Sequence, residues 1–403
     1  MAKPLEGIRV VDFSTFVAAP VCSRLLADLG ARVIKVERPE GDAWRVTGVG
    51  YLPSRFSDQE NPVFDIYNAG KEHIALNLKT PEGMEIFHKL LADADVLVTN
   101  TRPASLKRLG LDYETLKELY PRLVYGIVLG YGEKGPEKDN PAFDTSAFWA
   151  RSGFLRDQNP ASATYAPVQP PYSVGDTVTG YLLMGQICAA LMRREKTGTG
   201  DCVRSSLMHN GIFAMGTMQI ISQPPFGRTF PDTRSGYGTL SGGFQCADGE
   251  WIFLSGYSAE RNVVIFSLLE REDLASDPRF STAAARNTNR DALYDIVRQI
   301  FLSKPSDYWL QHARERDLPM TRMGHYSDLA TDEQAWANEY LEKVTFANGH
   351  VDVMPRSPIE MDSVGKLTTR TAPVIGADTD SLLLELGYDA DTINQLHQTG
   401  AVK

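Results

Sequence analysis

The chain has 403 residues, four scattered cysteines and a formal net charge of −10 at neutral pH, so it is long enough for two domains with separate cores. The acidic balance argues against nucleic acid or an anionic membrane as the main partner, and no apolar run approaches the roughly 20 residues that span a bilayer. Without an apolar leader, a C-x-x-C pair or a histidine metal motif, we expect a cytoplasmic protein with reduced thiols and no bound metal.

The first segment predicts a βαβ unit. Ile8–Phe13 is a short apolar run typical of a strand, and apolar residues then recur at helical spacing until Gly30 ends the helix. Val33–Glu37 is a second predicted strand, so we expect a parallel pair joined by a right-handed crossover. Glu37 resembles the acidic residue that binds ribose in nucleotide folds, but the first turn contains no glycine.

Helices and strands continue to alternate up to residue 129. The pattern predicts helices after Pro81 and Leu111 and strands over Val96–Thr99 and Leu123–Leu129, which indicates an α/β layer with helices on both faces of a sheet. Gly130-Tyr-Gly-Glu-Lys-Gly135 then matches the dinucleotide fingerprint literally. Because no helical pattern follows it, we interpret it as a turn at the carboxyl end of a strand, where such proteins bind ligands.

Asp176 stands directly before an apolar helix that Thr197-Gly-Thr-Gly200 stops. The apolar residues lie nearly all round this helix, which predicts a buried element. They are Leu182, Leu183, Met184, Ile187, Ala189, Ala190 and Leu191. Asp176 has two interpretations. Asp is a favoured N-cap, because its oxygen accepts a hydrogen bond from the first turn. A helix N-terminus also favours an ionised carboxylate by roughly 0.3–1 kcal/mol, and an ionised carboxylate can act as a nucleophile.

Composition changes after residue 222. Prolines and glycines are concentrated over residues 223–243, which predicts a domain boundary. Phe244–Ser255 has the pattern of a hairpin, and two helical patterns follow between residues 293 and 314. We therefore expect a smaller α+β domain over residues 223–330. Near residue 331 the chain becomes helical again.

Basic residues cluster around the predicted strand ends. Solvated helix faces explain any one of them more simply, but as a group in an acidic protein they could receive a phosphorylated ligand. They are Arg38, Arg45, Lys71, Lys79, Arg102, Lys107 and Arg108.

Together these stretches resemble the family III CoA-transferases over nearly the whole chain. The resemblance runs from Pro4-Leu-Glu-Gly7 to Arg370-Thr-Ala-Pro-Val-Ile-Gly376. Between these limits the matching blocks are Leu29-Gly-Ala-Arg-Val-Ile-Lys-Val-Glu37, Leu76-Asn-Leu-Lys-Thr-Pro-Glu-Gly83, Leu109-Gly-Leu-Asp-Tyr-Glu-Thr-Leu116, Gly130-Tyr-Gly-Glu-Lys-Gly-Pro136, Val174-Gly-Asp-Thr-Val-Thr-Gly180 and Glu195-Lys-Thr-Gly-Thr-Gly200.

The resemblance implies an interlocked homodimer. Each subunit would contain a large Rossmann-like α/β domain, built from residues 1–222 and 331–403, and the small domain over residues 223–330. The resemblance makes Asp176 the nucleophile, with coenzyme A as cosubstrate and no tightly bound cofactor. The residues implied to contact CoA are Val17, Ala18, Arg38, Leu76, Lys79, Asn100, Thr101 and Arg108.

The implied reaction moves CoA from an acyl-CoA to a free carboxylic acid through aspartyl anhydride and aspartyl-CoA thioester intermediates. Within the family, two stretches are similar to transferases of amino-acid fermentation, of the cinnamoyl-CoA:phenyllactate and 2-hydroxyisocaproate types. These stretches are Ser206-Leu-Met-His-Asn210 and Asp332-Glu-Gln-Ala-Trp-Ala-Asn-Glu-Tyr-Leu341. Such enzymes exchange CoA between an enoyl-CoA and a 2-hydroxy acid.

Two features differ from the family pattern, and two other functions remain as alternatives. Pro141 replaces a family lysine, and Gly242-Gly243 is all that remains of the glycine-rich lid of formyl-CoA transferases. The 2-methylacyl-CoA racemases share the fold but need a histidine beside a buried acid. Ala142-Phe143-Asp144 stands at that place, and phenylalanine cannot take a proton. A non-enzymatic CoA-binding protein is opposed only by the sequence context of Asp176.

Overall fold

The computed structural model describes residues 2–48, 57, 60–157, 170–227, 240–256 and 259–403. The chain divides into two compact units. The first comprises Met1–Leu155, Gln169–Ile220 and Asp332–Lys403, and the second comprises Arg156–Val168 and Ile221–Thr331. Each unit contains a hydrophobic core of its own.

A six-stranded parallel sheet forms the centre of the first unit. Its strands are β1 (Arg9–Phe13), β2 (Arg32–Glu37), β3 (Glu72–Ala75), β4 (Val96–Thr99), β5 (Val124–Leu129) and β6 (Cys202–Ser206). Their order across the sheet is β3-β2-β1-β4-β5-β6, and every neighbouring pair is parallel. This is the order of a doubly wound nucleotide-binding sheet. The predicted α/β class with a parallel sheet is confirmed.

The strand sequences explain why both faces of the sheet are covered. β4 and β5 are buried along their whole length, as continuous apolar runs in parallel sheets usually are. Successive side chains point to opposite faces, so Val10 packs in one core and Val11 in the other. The strand order reverses between β1 and β4. In this fold class, that reversal leaves a crevice at the carboxyl ends of the strands, where ligands bind.

Helices occur in both units, and those of the first unit cover both faces of its parallel sheet. They are α1 (Ala18–Asp28), α2 (Ala43–Thr47), α3 (Pro62–Asn68), α4 (Pro81–Ala92), α5 (Pro103–Leu109), α6 (Tyr113–Leu119), α7 (Phe154–Asp157), α8 (Val174–Thr197), α9 (Leu207–Ala214), α10 (Gly216–Ile221), α11 (Ala259–Leu268), α12 (Asp273–Ser276), α13 (Ala283–Thr288), α14 (Arg290–Phe301), α15 (Ser306–Glu315), α16 (Glu333–Ala337), α17 (Thr379–Glu385) and α18 (Ala390–Gln398), with a π-helix over Asp144–Ala150 and a 3-10 helix over Asp328–Thr331. Helices α1 and α8 pack on the face containing Val10, whereas α4, α5, α6, α17 and α18 pack on the other.

The long helix α8 packs closely against α1. A Cβ atom added at Gly180 would lie 2.6 Å from the carbonyl oxygen of Ala18, so glycine allows the two backbones to approach. The other end of α8 is held by Arg194, whose buried guanidinium lies 2.9 Å from a carboxylate oxygen of Asp95. Gly198 then ends the helix in a left-handed conformation, with φ 74°.

One face of α8 is exposed, so the predicted burial on all sides is wrong for a single chain. Leu183 and Ile187 are buried against the sheet. On the opposite side Tyr181, Leu182 and Met192 are exposed, and Met192 retains 69% of its accessible surface. Helix α8 therefore carries apolar side chains on a face that one chain alone leaves exposed.

Residues from the far end of the chain cover the outer edge of β3. Leu76 forms an antiparallel bridge with Val402, and the Asn77 N–H donates to the Ala401 carbonyl at 2.8 Å. The Asn77 side chain also donates to the carbonyl of Gly400 at 3.3 Å, across 323 positions of sequence. The sheet edge beside β3 is thus completed by the last residues of the sequence.

The second unit is built around a three-stranded antiparallel sheet. Its strands are β7 (Gly242–Gln245), β8 (Trp251–Leu254) and β9 (Met320–Arg322), and β8 lies in the middle. Phe244, Phe301 and Trp309 stack in its core. Gly242 and Gly243 begin β7, so the structure places this glycine pair in a strand. In the first unit, β10 (Leu341–Thr345) and β11 (Val351–Pro355) form a separate hairpin.

Among the described residues, no helix combines the length and the apolar character that crossing a bilayer requires.

Candidate active site

The residues implied to contact CoA gather along one edge of the parallel sheet. Val17 and Ala18 follow β1, Arg38 follows β2, Leu76 and Lys79 follow β3, and Asn100, Thr101 and Arg108 follow β4. The carboxyl ends of parallel strands meet at the same edge, which brings these residues together. Arg38, Lys79 and Arg108 are exposed, whereas Val17, Ala18 and Leu76 are buried. Three exposed cations therefore stand along an edge whose inner layer is apolar.

Asn100 joins the loops that follow β1 and β4, where the strand order reverses. Its Oδ1 accepts a hydrogen bond from the backbone N–H of Thr15 at 3.0 Å, and its Nδ2 donates to the Thr15 carbonyl at 2.6 Å. This double contact fixes the two loops relative to each other. Asn100 therefore shapes the crevice directly.

A buried network of charged side chains supports the same loops. The Lys71 ammonium lies 2.8 Å from Asp12, and that of Lys35 lies 2.9 Å from Asp42, with all four side chains fully buried. Burial opposes the ionisation of Asp12, but Lys71 and Lys35 hold its pKa at about 2. Lys35 also donates to the carbonyl of Ser14 at 2.9 Å. Charged groups thus fix the backbone just after β1.

Glu37 belongs to a second buried group of ions. Its carboxylate accepts hydrogen bonds from Arg45 at 2.7 and 2.8 Å and from the Asp42 N–H at 2.7 Å, and it lies 2.6 Å from Nδ1 of His73. Glu37 is therefore held by groups of the protein itself, which agrees with the absence of glycine from the turn after β1. Arg45 and Lys71 likewise leave the predicted phosphate-binding cluster, because both are buried in ion pairs. Its exposed members are Arg38, Lys79, Arg102, Lys107 and Arg108.

Asp176 lies in the first turn of α8, two residues inside the helix. Ser173 occupies the N-cap position in a left-handed conformation, with φ 63°, so the N-cap interpretation of Asp176 is wrong. Gly175 packs on Phe148, where an added Cβ would lie 2.7 Å from the ring. A strained non-glycine turn and a close glycine contact together fix the backbone from which the Asp176 side chain extends.

A second carboxylate, that of Asp144, faces the same turn. Asp144 is buried at the start of the π-helix, a conformation that is frequent at functional sites. Burial raises the pKa of Asp144, and the charge of its carboxylate acts on Asp176. A carboxylate from outside the helix thus lies near Asp176.

The environment of Asp176 favours its protonated form. Burial, followed by the charge of Asp144, raises the pKa of Asp176 to about 8. The expectation that the helix end keeps this group ionised is therefore wrong. Burial and a like charge outweigh a dipole effect of roughly 0.3–1 kcal/mol. A carboxyl group that titrates near neutral pH is typical of a functional site.

Tyr67 reaches the same turn from α3. Its hydroxyl lies near the side chains of Ser173 and Thr177, and the charge of Asp176 also acts on it. Burial raises the pKa of Tyr67, so the phenol is neutral at physiological pH. The site therefore contains an un-ionised hydroxyl close to the Asp176 carboxyl group.

Sequence reasoning named Asp144 only as part of a racemase motif, and it did not name Tyr67. Asp144 directly follows the exposed Phe143 and a mostly polar loop, so it belongs to no periodic pattern. Tyr67 lies in a seven-residue helix without a recognised motif, although Asn61 and Pro62 do mark its start. Neither residue can be linked to Asp176 without the tertiary structure.

Glu60, His350 and Asp352 place their possible metal-ligand atoms within 4.8 Å of one another. Nδ1 of His350 lies 3.0 Å from Glu60 and 3.5 Å from Asp352, which is the arrangement of a histidine shared between two carboxylates. We assign no metal to this group.

The sequence pattern of CoA-transferase family III matches residues 5–379. The chain belongs to this family. It is 38% identical to (R)-2-hydroxy-4-methylpentanoate CoA-transferase of Clostridioides difficile, over 99% of each chain. It is 36% identical to cinnamoyl-CoA:phenyllactate CoA-transferase of Clostridium sporogenes, over 98% of this chain and 96% of that one. The predicted family is confirmed, and its relatives include enzymes named for CoA transfer.

Two solved structures share the fold of this chain. A hypothetical protein of Mycobacterium tuberculosis, Rv3272, superposes with a TM-score of 0.81 at 26% identity, covering 94% of this chain and 99% of that one. A CAIB/BAIF family protein of Brucella suis superposes with a TM-score of 0.79 at 26% identity, covering 96% and 100%. The fold shared with these proteins thus extends over nearly the whole chain.

Proposed function

We propose that this protein transfers CoA from an acyl-CoA to a free carboxylic acid, with Asp176 as the nucleophile. The observation that carries the proposal is the placement of Asp176 in a family III chain. Its carboxyl group extends from a fixed turn, beside Asp144 and the neutral hydroxyl of Tyr67. A racemase is disfavoured, because Phe143 stands where that chemistry needs a base.

The reaction proceeds through exchanges that balance without any net proton transfer. The Asp176 carboxylate attacks the donor thioester, the C–S bond breaks, and a mixed anhydride and CoA thiolate form. The thiolate attacks the Asp176 carbonyl, which releases the donor acid and leaves an aspartyl-CoA thioester. The acceptor carboxylate attacks that thioester, the C–S bond breaks, and a second mixed anhydride and CoA thiolate form. The thiolate then attacks the acceptor carbonyl, so the new acyl-CoA leaves and the Asp176 carboxylate is restored.

CoA would bind along the carboxyl edge of the sheet. The exposed side chains of Arg38, Lys79 and Arg108 supply cations for its phosphates, and the backbone around Val17 and Ala18 begins α1 at the point of strand reversal. Leu76 and Thr101 complete this edge. CoA acts as cosubstrate, and the reaction requires neither a metal nor a redox cofactor.

The acceptor we propose is a 2-hydroxy acid and the donor an enoyl-CoA, in amino-acid fermentation. The names of two relatives at 36–38% identity support this choice, since one acts on 2-hydroxy-4-methylpentanoate and the other on phenyllactate. The four cysteines are free thiols, in keeping with a reducing cytoplasmic location.

The function is tested by incubating the protein with one enoyl-CoA and a set of free acids, and by following acyl-CoA products by mass spectrometry. We expect a new 2-hydroxyacyl-CoA. With donor alone, a CoA thioester that hydroxylamine cleaves should accumulate on the peptide carrying Asp176. If CoA appears only as free thiol with every acid, the protein is a hydrolase; if the donor stays intact, it is a binding protein; either result shows that the proposal is wrong.

The first half-reaction should depend on pH through Asp176. Its pKa is raised to about 8 by burial and by Asp144, and only the ionised form attacks. The rate of thioester formation should therefore rise with pH up to about 8 and fall about tenfold per unit below it. Asp144→Asn removes the neighbouring charge, which lowers the pKa of Asp176. The rising part of the pH–rate profile should therefore move to lower pH.

The control for this prediction is Asp139→Asn, which changes an exposed carboxylate five residues before Asp144 in the sequence. It should leave the pH profile unchanged. Rapid-quench measurement of the aspartyl-CoA thioester between pH 5 and 9 distinguishes the variants. If the pH–rate profile of Asp144→Asn coincides with that of wild type, the Asp144 carboxylate does not raise the pKa of Asp176.

We also propose a homodimer of interlocked subunits, with large domains over residues 1–222 and 331–403 and small domains over residues 223–330. The exposed apolar face of α8, formed by Tyr181, Leu182 and Met192, supports a second copy as its cover. Sedimentation at micromolar concentration should give twice the 44.6 kDa of one chain. A stable monomer would contradict this proposal.

A further inference from the structure

Four aromatic rings form a continuous row beside Asp176. Phe143 and Phe16 meet edge to face with their ring centroids 5.3 Å apart, Phe16 lies 6.1 Å from Trp44, and Trp44 lies 6.5 Å from Tyr67. The residues come from the segment before the π-helix, the loop after β1, α2 and α3. We call this set the aromatic row.

Both ends of the aromatic row are tied to the turn that carries Asp176. Phe143 directly precedes the π-helix, whose Phe148 ring packs against Gly175, the residue before Asp176. At the other end, Tyr67 packs in one hydrophobic cluster with Met184 of α8, and burial and the charge of Asp176 raise the pKa of its hydroxyl. The row therefore borders the first turns of α8 from two sides.

The first two rings are held in place although they are not buried in a core. Phe16 adopts a left-handed backbone with φ 62°, a conformation that bulky residues rarely take, and its N–H donates to Asp42 at 3.1 Å. Asp42 is itself paired with the buried Lys35. Phe143 is 56% exposed, and its N–H donates to the hydroxyl of Ser146 at 3.1 Å. Backbone strain at Phe16 and exposure at Phe143 are costs that packing alone does not explain.

We infer that the aromatic row is the wall against which the apolar substituent of the acyl group packs, and that Phe16 and Phe143 determine specificity. A substrate whose carbonyl lies at the Asp176 carboxyl group must extend its substituent past one of the two ends of the row. The ring faces favour aryl or branched alkyl groups and offer no cation to a second carboxylate. This inference rests on the proposed function and adds the substituent class to it.

The test measures kcat/KM for three acceptors with one common donor. The acceptors are lactate, 2-hydroxy-4-methylpentanoate and phenyllactate, which share a reacting end and differ in apolar size. The wild type should favour the larger acids by about tenfold or more, as one or two buried methylenes suffice for such a ratio. Phe143→Ala should reduce the ratio of phenyllactate to lactate by about tenfold and leave lactate within about threefold of wild type.

Two further variants separate specificity from stability. Phe143→Leu retains an apolar side chain and should recover most of the ratio. Leu119→Ala truncates a side chain that is also 56% exposed, at the end of α6, and should leave the ratio unchanged. Because Phe143 is already exposed, its truncation should fold even if Phe16→Ala does not.

The outcomes distinguish this inference from the proposed function. If the wild type transfers CoA to no acid, the proposed function fails. If it transfers CoA and Phe143→Ala lowers the rate for all three acids equally, or for none, the aromatic row does not bind the substituent and the inference is overturned. A selective loss with the larger acids supports it.

Discussion

Asp176→Asn should abolish CoA transfer while the protein remains folded. The amide has nearly the same size as the carboxyl group, but it cannot form an anhydride with the donor. The rate should therefore fall by several orders of magnitude, as it does when other covalent nucleophiles are removed. The aspartyl-CoA thioester should also be missing from the peptide when donor alone is supplied. Quenched-flow assay and peptide mass spectrometry measure the two effects.

Stability provides an internal check on this variant. Ionising Asp176 destabilises the folded state, because its folded pKa is raised above the ordinary value. That cost appears as the pH rises from about 4 to about 8, so at pH 9 the asparagine variant should melt no lower than wild type. Asp389→Asn is a matched control, since that residue caps α18 by accepting from the Thr392 N–H at 2.7 Å. A folded Asp176→Asn without deamidation that retains most of its rate would contradict the mechanism.

Lys71→Met should destabilise the protein more than a substitution of an exposed lysine does. The Lys71 ammonium donates to Asp12 at 2.8 Å, to the side chain of Asn68 at 2.9 Å and to the Pro20 carbonyl at 3.0 Å, and no part of it reaches solvent. Methionine preserves much of the volume but leaves the Asp12 carboxylate with less compensation. Removing one partner of a buried pair costs about 3–5 kcal/mol. Urea unfolding monitored by circular dichroism measures the loss.

The control is Lys117→Met, which makes the same substitution in a solvent-exposed pair with Glu114. Exposed pairs contribute roughly 0–1 kcal/mol, so this variant should unfold close to wild type. The double variant Asp12→Leu with Lys71→Met should recover much of the stability, because no unpaired charge then remains buried. Equal stability of the two lysine variants would show that the buried pair does not support the loops after β1.

Patterns within short stretches of the sequence predicted the strands and helix ends that depend on neighbouring residues alone. The apolar runs at β1, β2, β4 and β5 and the start of α6, where Asp112 caps the helix, follow from residue spacing and capping chemistry. The resemblance also covered the sheet edge on which the implied CoA residues come together. These features are written in stretches of fewer than 20 residues, so a single sequence reveals them.

Features that depend on contacts between distant residues could not be predicted in this way. Glu37 and Arg45 looked like ligand-binding side chains, because a sequence does not show that each is buried against the other. The pKa of Asp176 required Asp144, which lies in another element. The exposed side of α8 looked like core, since apolar spacing cannot distinguish burial within a subunit from a surface left for a partner.

The position of residues 400–403 beside β3 has a consequence for biosynthesis. β3 leaves the ribosome long before the residues that cover its edge, since Asn77 and Gly400 are 323 positions apart. At about 5–20 residues per second, the interval is roughly 16–65 s. During that time a nascent chain displays an unpaired strand edge, which is a template for association with neighbouring chains on a polysome. Chaperone dependence of the yield should therefore be greatest for variants that weaken the contact of residues 400–403 with β3.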